Sequence, residues 1–380
     1  MEPFKNLINA TTVAQAGQHL QRAWSGFDRN RFEALAKNGL DALELKARML
    51  QLADAMHATL PDDFNAACDV LEASLAAPLP LDDKGEPVGL STAEAGAGLS
   101  GWVIWSMGEF VARHGLHDVP RSLICLHALT QRSTAEFAIR PFIQHQPDAV
   151  WPVLARWASD PSAHVRRLVS EGSRPRLPWG LRLHALVRDP TPTLLLLRAL
   201  QDDPSSYVRR SVANHLNDIA KDHPDLVAGW VRDHLIETTP ERSALLRHAS
   251  RVLIKQGHVP TLAAWGLASG LNGQASLSLS ASHASVGDSL GLRVTLRSTA
   301  RAPQPLEIDY AVHHVRANAS TSPKVFKGWK LTLAAGEERV LDKRHSLKPV
   351  TTRTLYPGLH RIEVLINGKA MAEAAFDLRS

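Results

Sequence analysis

Several features that mark other classes of protein are missing from this chain of 380 residues. It has two cysteines, Cys68 and Cys125, too few for a disulfide framework or a cysteine-rich metal site. No stretch approaches the roughly 18 consecutive apolar residues that cross a bilayer. The first residues lack the basic start and apolar core of a secretory signal. We therefore expect a protein of the reducing cytoplasm with no membrane contact.

Motifs for several common enzyme chemistries are missing as well. The chain has 18 histidines, but none stands in the His-Glu-x-x-His spacing of zinc enzymes. No glycine-rich phosphate loop follows a strand pattern, and no Gly-x-Ser-x-Gly elbow is present. We expect no metal and no cofactor.

Basic charge is unevenly distributed along the chain, which has a formal net charge of +5. Residues 1–120 carry 9 basic and 16 acidic side chains, whereas residues 121–255 carry 19 and 13, and residues 271–380 carry 15 and 9. This excess of Lys and Arg after residue 120 favours a phosphate backbone as the partner. On charge alone, arginines that only solvate helix surfaces are an equally good explanation.

Two segments read almost alike: Asp-Pro-Ser-Ala-His-Val-Arg-Arg from Asp160 and Asp-Pro-Ser-Ser-Tyr-Val-Arg-Arg from Asp203. A repeat of 43 residues is typical of HEAT-like helical pairs, which stack into a superhelix with an extended concave surface. A weaker third copy turns at Pro240. Apolar residues at spacings of three and four predict helices throughout residues 1–270, with a loop at Pro78–Gly89.

The pattern changes after the predicted linker Gly270–Gln274. Apolar residues then alternate with polar ones, and Asn367-Gly368 between two such runs is a strong hairpin signal. About seven short strands fit, which is the rhythm of an immunoglobulin-like β-sandwich. We therefore predict two domains: a HEAT-like all-α superhelix over residues 1–270 and a β-sandwich over residues 275–380.

Two glutamates, Glu136 and Glu171, stand in similar contexts, because each is followed within a few residues by Arg-Pro. Stacked repeats would bring them near each other on the inner face. Carboxylates in a basic groove repel phosphates, so we infer that they serve a cationic centre in the ligand. The simpler alternative is that each glutamate forms an ordinary salt bridge.

An insert interrupts the repeat directly after Glu171, which aligns with Asn214 in the next copy. It concentrates glycine, proline and basic residues with one tryptophan, Trp179. Insertions between repeats tend to carry binding residues.

Three segments, Thr134–Phe142, Ser170–Trp179 and Tyr207–Asp218, together resemble the AlkC-type alkylpurine DNA glycosylases. These bacterial repair enzymes belong to the HEAT-like repeat superfamily that also contains AlkD, and one branch carries a C-terminal immunoglobulin-like domain. The resemblance implies that Glu136 and Glu171 are catalytic carboxylates and that Trp179 is an active-site aromatic residue.

The implied reaction is excision of a cationic alkylated base by hydrolysis of its N-glycosidic bond in base excision repair. An N-alkylated base is already an activated leaving group, so carboxylates need only stabilise the oxocarbenium-like sugar and position a water molecule. The resemblance also implies that the base is reached without flipping. N3-methyladenine is the favoured substrate, while N3-methylcytosine and N7-methylguanine remain alternatives.

The implied partner is double-stranded DNA carrying alkylated bases, bound by a monomer in the bacterial nucleoid. The predicted DNA contacts in the helical part are Arg140, Arg166, Arg167, Arg174, Arg176, Arg209, Arg210 and Asn214. Those in the sandwich, which would act as a clamp, are His313, Arg316, Lys324 and Lys327. A plainer interpretation of this part of the sandwich is that Phe326 and Trp329 are core residues and that the lysines are solvated on a strand edge.

Two other functions stay open. One is a catalytically inert protein of the same architecture that binds damaged or branched DNA. The other is a protein–protein scaffold, which the basic charge of residues 121–255 and the Arg-Pro insert disfavour.

Overall fold

The computed structural model describes residues 3–89, 98–268, 270–350 and 353–379. The chain divides into two compact units. The first comprises Met1–Asp222 and Pro240–Leu245, and the second comprises His223–Thr239 and Leu246–Ser380.

The first unit is helical, as the periodicity predicts. Its helices are α1 (Ala10–Ala23), α2 (Arg29–Lys37), α3 (Leu45–His57), α4 (Phe64–Ala73), α5 (Val103–His114), α6 (Val119–Thr130), α7 (Arg140–His145), α8 (Pro147–Trp157), α9 (Ala163–Gly172), α10 (His184–Arg188), α11 (Thr191–Leu200) and α12 (Ser206–Ile219), with short 3-10 helices at Phe4–Leu7 and Leu40–Ala42. Aspartate side chains cap α2, α4 and α6 by accepting a hydrogen bond from a first-turn N–H. The predicted loop over Pro78–Gly89 contains no helix.

The two similar segments form the turns that lead into α9 and α12. Asp160 accepts a hydrogen bond from the N–H of Ser162, and Asp203 does the same for Ser205. The helix pairs α8–α9 and α11–α12 therefore repeat one turn chemistry, and α9 packs against α12.

Four more helices follow: α13 (Pro224–Leu235), α14 (Pro240–Ala249), α15 (Arg251–Lys255) and α16 (Val259–Ala264). Contacts between elements group α13, α15 and α16 with the strands in the second unit. At Gly257, after α15, an added Cβ would lie 2.9 Å from the carbonyl oxygen of Gly368. The last helix ends at Ala264, and the first strand begins at Gly273, within the predicted linker. The predicted domain limits at residues 270 and 275 stay a prediction.

The second unit contains an immunoglobulin-like sandwich. Its strands are β1 (Gly273–Leu279), β2 (His283–Ser285), β3 (Ser289–Ser298), β4 (Gln304–Val315), β5 (Thr321–Leu333), β6 (Glu338–Ser346), β7 (Gly358–Ile366) and β8 (Lys369–Arg379). They form one sheet in the order β1-β3-β6 and another in the order β2-β8-β7-β4-β5. The alternating apolar residues of β3 point into the core. Asn367 and Gly368 adopt φ values of 48° and 76°, so the predicted hairpin turn is confirmed.

Candidate active site

A cavity of about 430 Å³ lies in the first unit. Its walls come from the start of α5, the turn between α6 and α7, the C-terminal half of α9, the insert after α9, and the start of α12. The lining residues are Trp102, Trp105, Ser133, Thr134, Glu136, Phe137, Arg167, Glu171, Arg174, Leu177, Pro178, Trp179 and Tyr207. The cavity thus combines two carboxylates, two guanidinium groups and five aromatic rings.

Glu136 lies in the turn between α6 and α7, and only 8% of the residue is exposed. Its Oε2 accepts a hydrogen bond of 2.5 Å from the Thr134 hydroxyl. The same oxygen forms an ion pair with Nη1 of Arg167. The same Nη1 donates to Thr134 Oγ1 at 2.9 Å. These contacts fix one carboxylate oxygen at the cavity wall.

Glu171 lies near the end of α9 and is 6% exposed. Its Oε1 accepts a hydrogen bond from Arg174 at 2.6 Å, and its Oε2 accepts one from the Ser211 hydroxyl at 2.6 Å. Burial alone would raise the pKa of this carboxyl. The charges of Arg167 and Arg174 and the donated hydrogen bonds outweigh it, so the pKa is lowered from its ordinary value. Glu171 is therefore a carboxylate at neutral pH.

Arg167 joins the two glutamates. Its guanidinium pairs with Glu136, and its Nη2 lies 3.6 Å from Oε1 of Glu171. It also lies 5.0 Å from the ring centroid of Tyr207. The structure therefore brings Glu136 and Glu171 to one guanidinium, as the repeat predicts, and it places Arg167 inside the cavity wall.

The insert presents Trp179 to solvent. This residue has a φ of 64°, which is uncommon for a bulky side chain, and it is 67% exposed. Strained backbone that persists is typical of functional sites. Next to it, an added Cβ at Gly180 would lie 3.0 Å from the Leu177 side chain and 3.3 Å from the Phe137 ring, so the insert packs tightly onto the cavity.

Arg140 holds the two ends of this insert. The residue has no exposed surface, and its guanidinium donates to the carbonyl oxygens of Leu181 at 2.5 Å and Gly172 at 2.8 Å. Burial lowers its pKa to about 10. A phosphate cannot reach this side chain in the structure, so the predicted DNA contact is replaced by a structural role in holding the insert.

The first arginine of each repeated pair also has an internal role. Arg166 donates to the carbonyl oxygens of Asp160 and Pro161, and Arg209 donates to those of Asp203 and Pro204. Arg166 further pairs with the buried Asp203 carboxylate at 2.6 and 3.0 Å, which ties one repeat to the next. These contacts lie inside the protein, so they explain why an arginine recurs at this position without any contact to DNA.

The remaining predicted contacts of the first unit differ in accessibility. Arg174 is buried between Glu171 and Asp218. Arg176 forms a two-pronged pair with Asp222 at 2.7 Å, and Asn214 is half-buried on α12. Arg210 is exposed and pairs with Glu86 in the loop after α4.

In the sandwich, Phe326 and Trp329 pack against the two core clusters, so the plainer interpretation holds for these rings. Phe326 stacks on Tyr310 with ring centroids 5.3 Å apart. The basic side chains Arg316, Lys324 and Lys327 are exposed, the two lysines on edge strand β5. His313 is half-buried and lies 2.9 Å from a carboxylate oxygen of Glu363.

Several residues of the site carry no clear signal in the sequence. Trp102 and Trp105 reach the cavity from α5, and no motif links them to Glu136. Tyr207 and Ser211 lie inside the third segment of the resemblance, but their spacing gives no indication of their roles. Glu86 is an ordinary acidic loop residue until its contact with Arg210 is seen.

Within the described residues, no cluster of three or more His, Cys, Asp or Glu side chains is arranged to hold a metal ion. The same part of the chain contains no helix with the length and apolar character needed to span a membrane.

Known proteins are similar to this chain in both of its parts. Residues 274–380 match a family model described as the C-terminal Ig-like domain of the uncharacterised protein YhaZ. The uncharacterised protein YhaZ of Bacillus subtilis is 33% identical over the whole length of both chains. A solved structure, the Pseudomonas fluorescens alkylpurine DNA glycosylase AlkC bound to DNA containing an abasic site analog, is 34% identical, covers 100% of both chains and superposes with a TM-score of 0.90.

The chain belongs to the AlkC family. Full-length coverage confirms both parts of the predicted fold, the helical repeats and the immunoglobulin-like domain. The family resemblance seen in the three sequence segments is confirmed with them.

Proposed function

We propose that this AlkC-family protein is a DNA glycosylase that hydrolyses the N-glycosidic bond of cationic alkylated bases. The observation that supports this most directly is the placement of Glu136 and Glu171 at one guanidinium, buried in the wall of an aromatic cavity. A related protein of known structure carries the alkylpurine glycosylase name and was solved on abasic DNA.

The charge of the cavity suits a cation. Its lining has two carboxylates, Glu136 and Glu171, and two guanidinium groups, Arg167 and Arg174. Arg174 is shared with the buried Asp218 carboxylate, so this network holds three carboxylates for two guanidinium groups. The two glutamates are nearly buried. Charge interactions are stronger in such a water-poor site than in bulk solvent. An alkylated base and an oxocarbenium-like sugar are both positive, so this wall stabilises them more than it stabilises an ordinary nucleotide.

The reaction needs one water molecule. Its oxygen bonds to the anomeric carbon of the deoxyribose as the bond to the base breaks, and the bonding electrons leave with the base, which becomes neutral. One of the two glutamates accepts the proton released by the water. The other stabilises the developing positive charge on the sugar. N3-methyladenine is the substrate that we favour.

The aromatic residues contribute to recognition of the lesion. A cation over an aromatic face is stabilised by about 0.5–2 kcal/mol, and the cavity offers Trp105, Phe137, Tyr207 and the exposed Trp179. Because Trp179 stands in solvent, it meets the duplex first. We propose that the alkylated base is recognised there without being flipped.

For DNA binding we retain the arginines that can reach a phosphate. Arg210 is half exposed, and a phosphate can compete with Glu86 for its guanidinium. Arg176 pairs with Asp222 at the surface in the same way. In the second unit, Arg316, Lys324 and Lys327 provide an exposed basic surface for a second contact.

The test is to incubate the protein with methylated duplex DNA and identify any released base by chromatography and mass spectrometry. We expect free N3-methyladenine and an intact abasic strand. Glu136→Gln should remove this activity while leaving affinity for abasic DNA unchanged. Glu72→Gln is the matched control, because Glu72 also pairs with an arginine but lies away from the cavity. Tight binding without any base release would instead support the inert DNA-binding alternative.

A further inference from the structure

Helix α12 presents a buried polar stripe to α9. Ser211, His215 and Asp218 are spaced four and three residues apart, so they lie on one face of the helix. All three are at most 2% exposed. The interface between stacked helical repeats is ordinarily apolar, and burying polar groups costs free energy unless they are hydrogen-bonded. The partners of these three residues therefore show what the stripe does.

Ser211 contacts Glu171 directly. Its hydroxyl donates to Oε2 of Glu171 at 2.6 Å and accepts from the Ser170 hydroxyl at 3.0 Å. Two buried hydroxyl groups thus form a short chain that ends on the carboxylate. Because a hydrogen bond from a neighbouring helix fixes Oε2, the carboxylate cannot rotate freely about its terminal bond.

The other two residues of the stripe contact groups that adjoin Glu171. Nδ1 of His215 lies 2.9 Å from the carbonyl oxygen of Ser170, the residue before Glu171. Asp218 accepts a hydrogen bond of 2.8 Å from Arg174, which in turn donates to Oε1 of Glu171. All three side chains therefore converge on Glu171, through its carboxylate, its backbone neighbour and its arginine partner.

We propose that Ser211 is a positioning residue that orients the Glu171 carboxylate for the glycosylase reaction. This rests on the proposed function. The charged and titratable groups that face Glu171 are Arg167 on its own helix, Arg174 after that helix, Glu136 from the turn before α7, Arg140 at the start of α7, and Tyr207, His215 and Asp218 on α12. Ser211 is neutral, so its hydrogen bond to Glu171 can be removed without changing any charge.

The matched pair of variants is Ser211→Ala and Ser173→Ala. Both remove one buried hydroxyl, but the Ser173 hydroxyl donates to backbone carbonyl oxygens, those of Val169 at 2.6 Å and Ser170 at 3.3 Å, and not to the Glu171 carboxylate. Base release is measured under single-turnover conditions with N3-methyladenine DNA from pH 3.5 to pH 8, a range that extends below the ordinary pKa of a glutamate, about 4.3. Affinity for abasic DNA and thermal stability are measured alongside.

For Ser211→Ala we expect a fall in the single-turnover rate of roughly ten- to hundredfold, with abasic-DNA affinity unchanged. Loss of the donated hydrogen bond raises the pKa of Glu171, so the acid limb of the rate profile should move to higher pH. Ser173→Ala should keep the rate and the acid limb of the unchanged protein, whatever its stability.

Three outcomes would show that one of these proposals is wrong. If the unchanged protein releases no base, the proposed function is wrong and Ser211 has no reaction to support. If the unchanged protein is active and Ser211→Ala matches it in both rate and pH profile, the positioning role is wrong. A rate loss shared equally by Ser173→Ala, with no movement of the acid limb, also contradicts it.

Discussion

The two copies of the 43-residue repeat share a turn but differ in the helix that the turn begins. Asp160 and Asp203 form equivalent turns, and Arg166 and Arg209 each donate to the two corresponding carbonyl oxygens of their own turn. The next arginines already differ, since Arg167 lies in the cavity wall while Arg210 is exposed. Four residues later, the first copy has Glu171 and the second has Asn214.

This comparison shows which part of a repeat is architectural. The residues that recur hold the turns and connect neighbouring helix pairs. The residues that do not recur, Glu171 and the insert with Trp179, line one part of the cavity. We therefore propose that the function of this array is located where the symmetry between copies ends.

The largest expected effect comes from making the first copy resemble the second. Glu171→Asn removes the carboxylate at the cavity but retains a polar side chain. We expect base release to fall by about 10²–10³-fold, the typical cost of losing one electrostatic group in an active site. Asn214→Ala should cost less than about tenfold, the effect of one hydrogen bond. Single-turnover assays of both variants check this, and equal losses would contradict the distinction between the copies.

A smaller effect, on stability, distinguishes the two leading arginines. Arg166→Ala leaves the buried Asp203 carboxylate without its two-pronged partner and should lower the free energy of unfolding by about 3 kcal/mol. Arg209→Ala removes hydrogen bonds to carbonyl oxygens only and should cost about 1 kcal/mol. Urea denaturation of both variants measures the difference. If the two losses are equal, the link between repeats contributes little.

The sandwich extends the comparison to a surface outside the repeats. Replacing Lys324 and Lys327 with alanine should reduce the slope of log affinity against log salt by about 2, if both side chains contact phosphates. Arg293→Ala is the control, because Arg293 is equally basic but pairs with Asp342 on the other sheet. A salt slope that is unchanged in the lysine variant would remove the sandwich from the DNA interface. Substitution is preferable to truncation here, since Gly257, which follows α15, lies close to the sandwich turn at Gly368.

The smallest effect is expected at Arg210. Its replacement by alanine should reduce the salt slope by about 0.9, the value for one phosphate contact. Glu86→Gln removes the competing carboxylate and should strengthen DNA binding. Binding titrations at several salt concentrations test both variants, and weaker binding by Glu86→Gln would show that the loop assists DNA binding.

The repeat and the alternation of apolar residues predict most of the fold. Spacing of 43 residues predicts the stacked helix pairs, and Asn367-Gly368 predicts the turn that the structure contains. The pairing of Glu136 with Glu171 also results from stacking. These features depend on local periodicity and turn chemistry, which the sequence shows directly.

The direction of individual side chains could not be predicted in this way. Arg140, Arg166 and Arg174 are as basic as Arg210 in the sequence, yet the structure uses them inside the protein. Whether an arginine meets a carbonyl oxygen, a carboxylate or solvent depends on neighbouring helices far away in sequence. For the same reason, the contact between Ser211 and Glu171 appears only once α9 and α12 are packed together.

The most direct measurement of the central claim is the separation of binding from bond cleavage in Glu171→Gln. Affinity for abasic DNA and single-turnover release of N3-methyladenine are measured on the same preparation, with Glu72→Gln as the control. We predict that Glu171→Gln binds as tightly as the unchanged protein and releases base at least about a hundredfold more slowly. Release at the unchanged rate, with DNA affinity intact, would contradict the claim that Glu171 converts a DNA-binding repeat into a catalytic one.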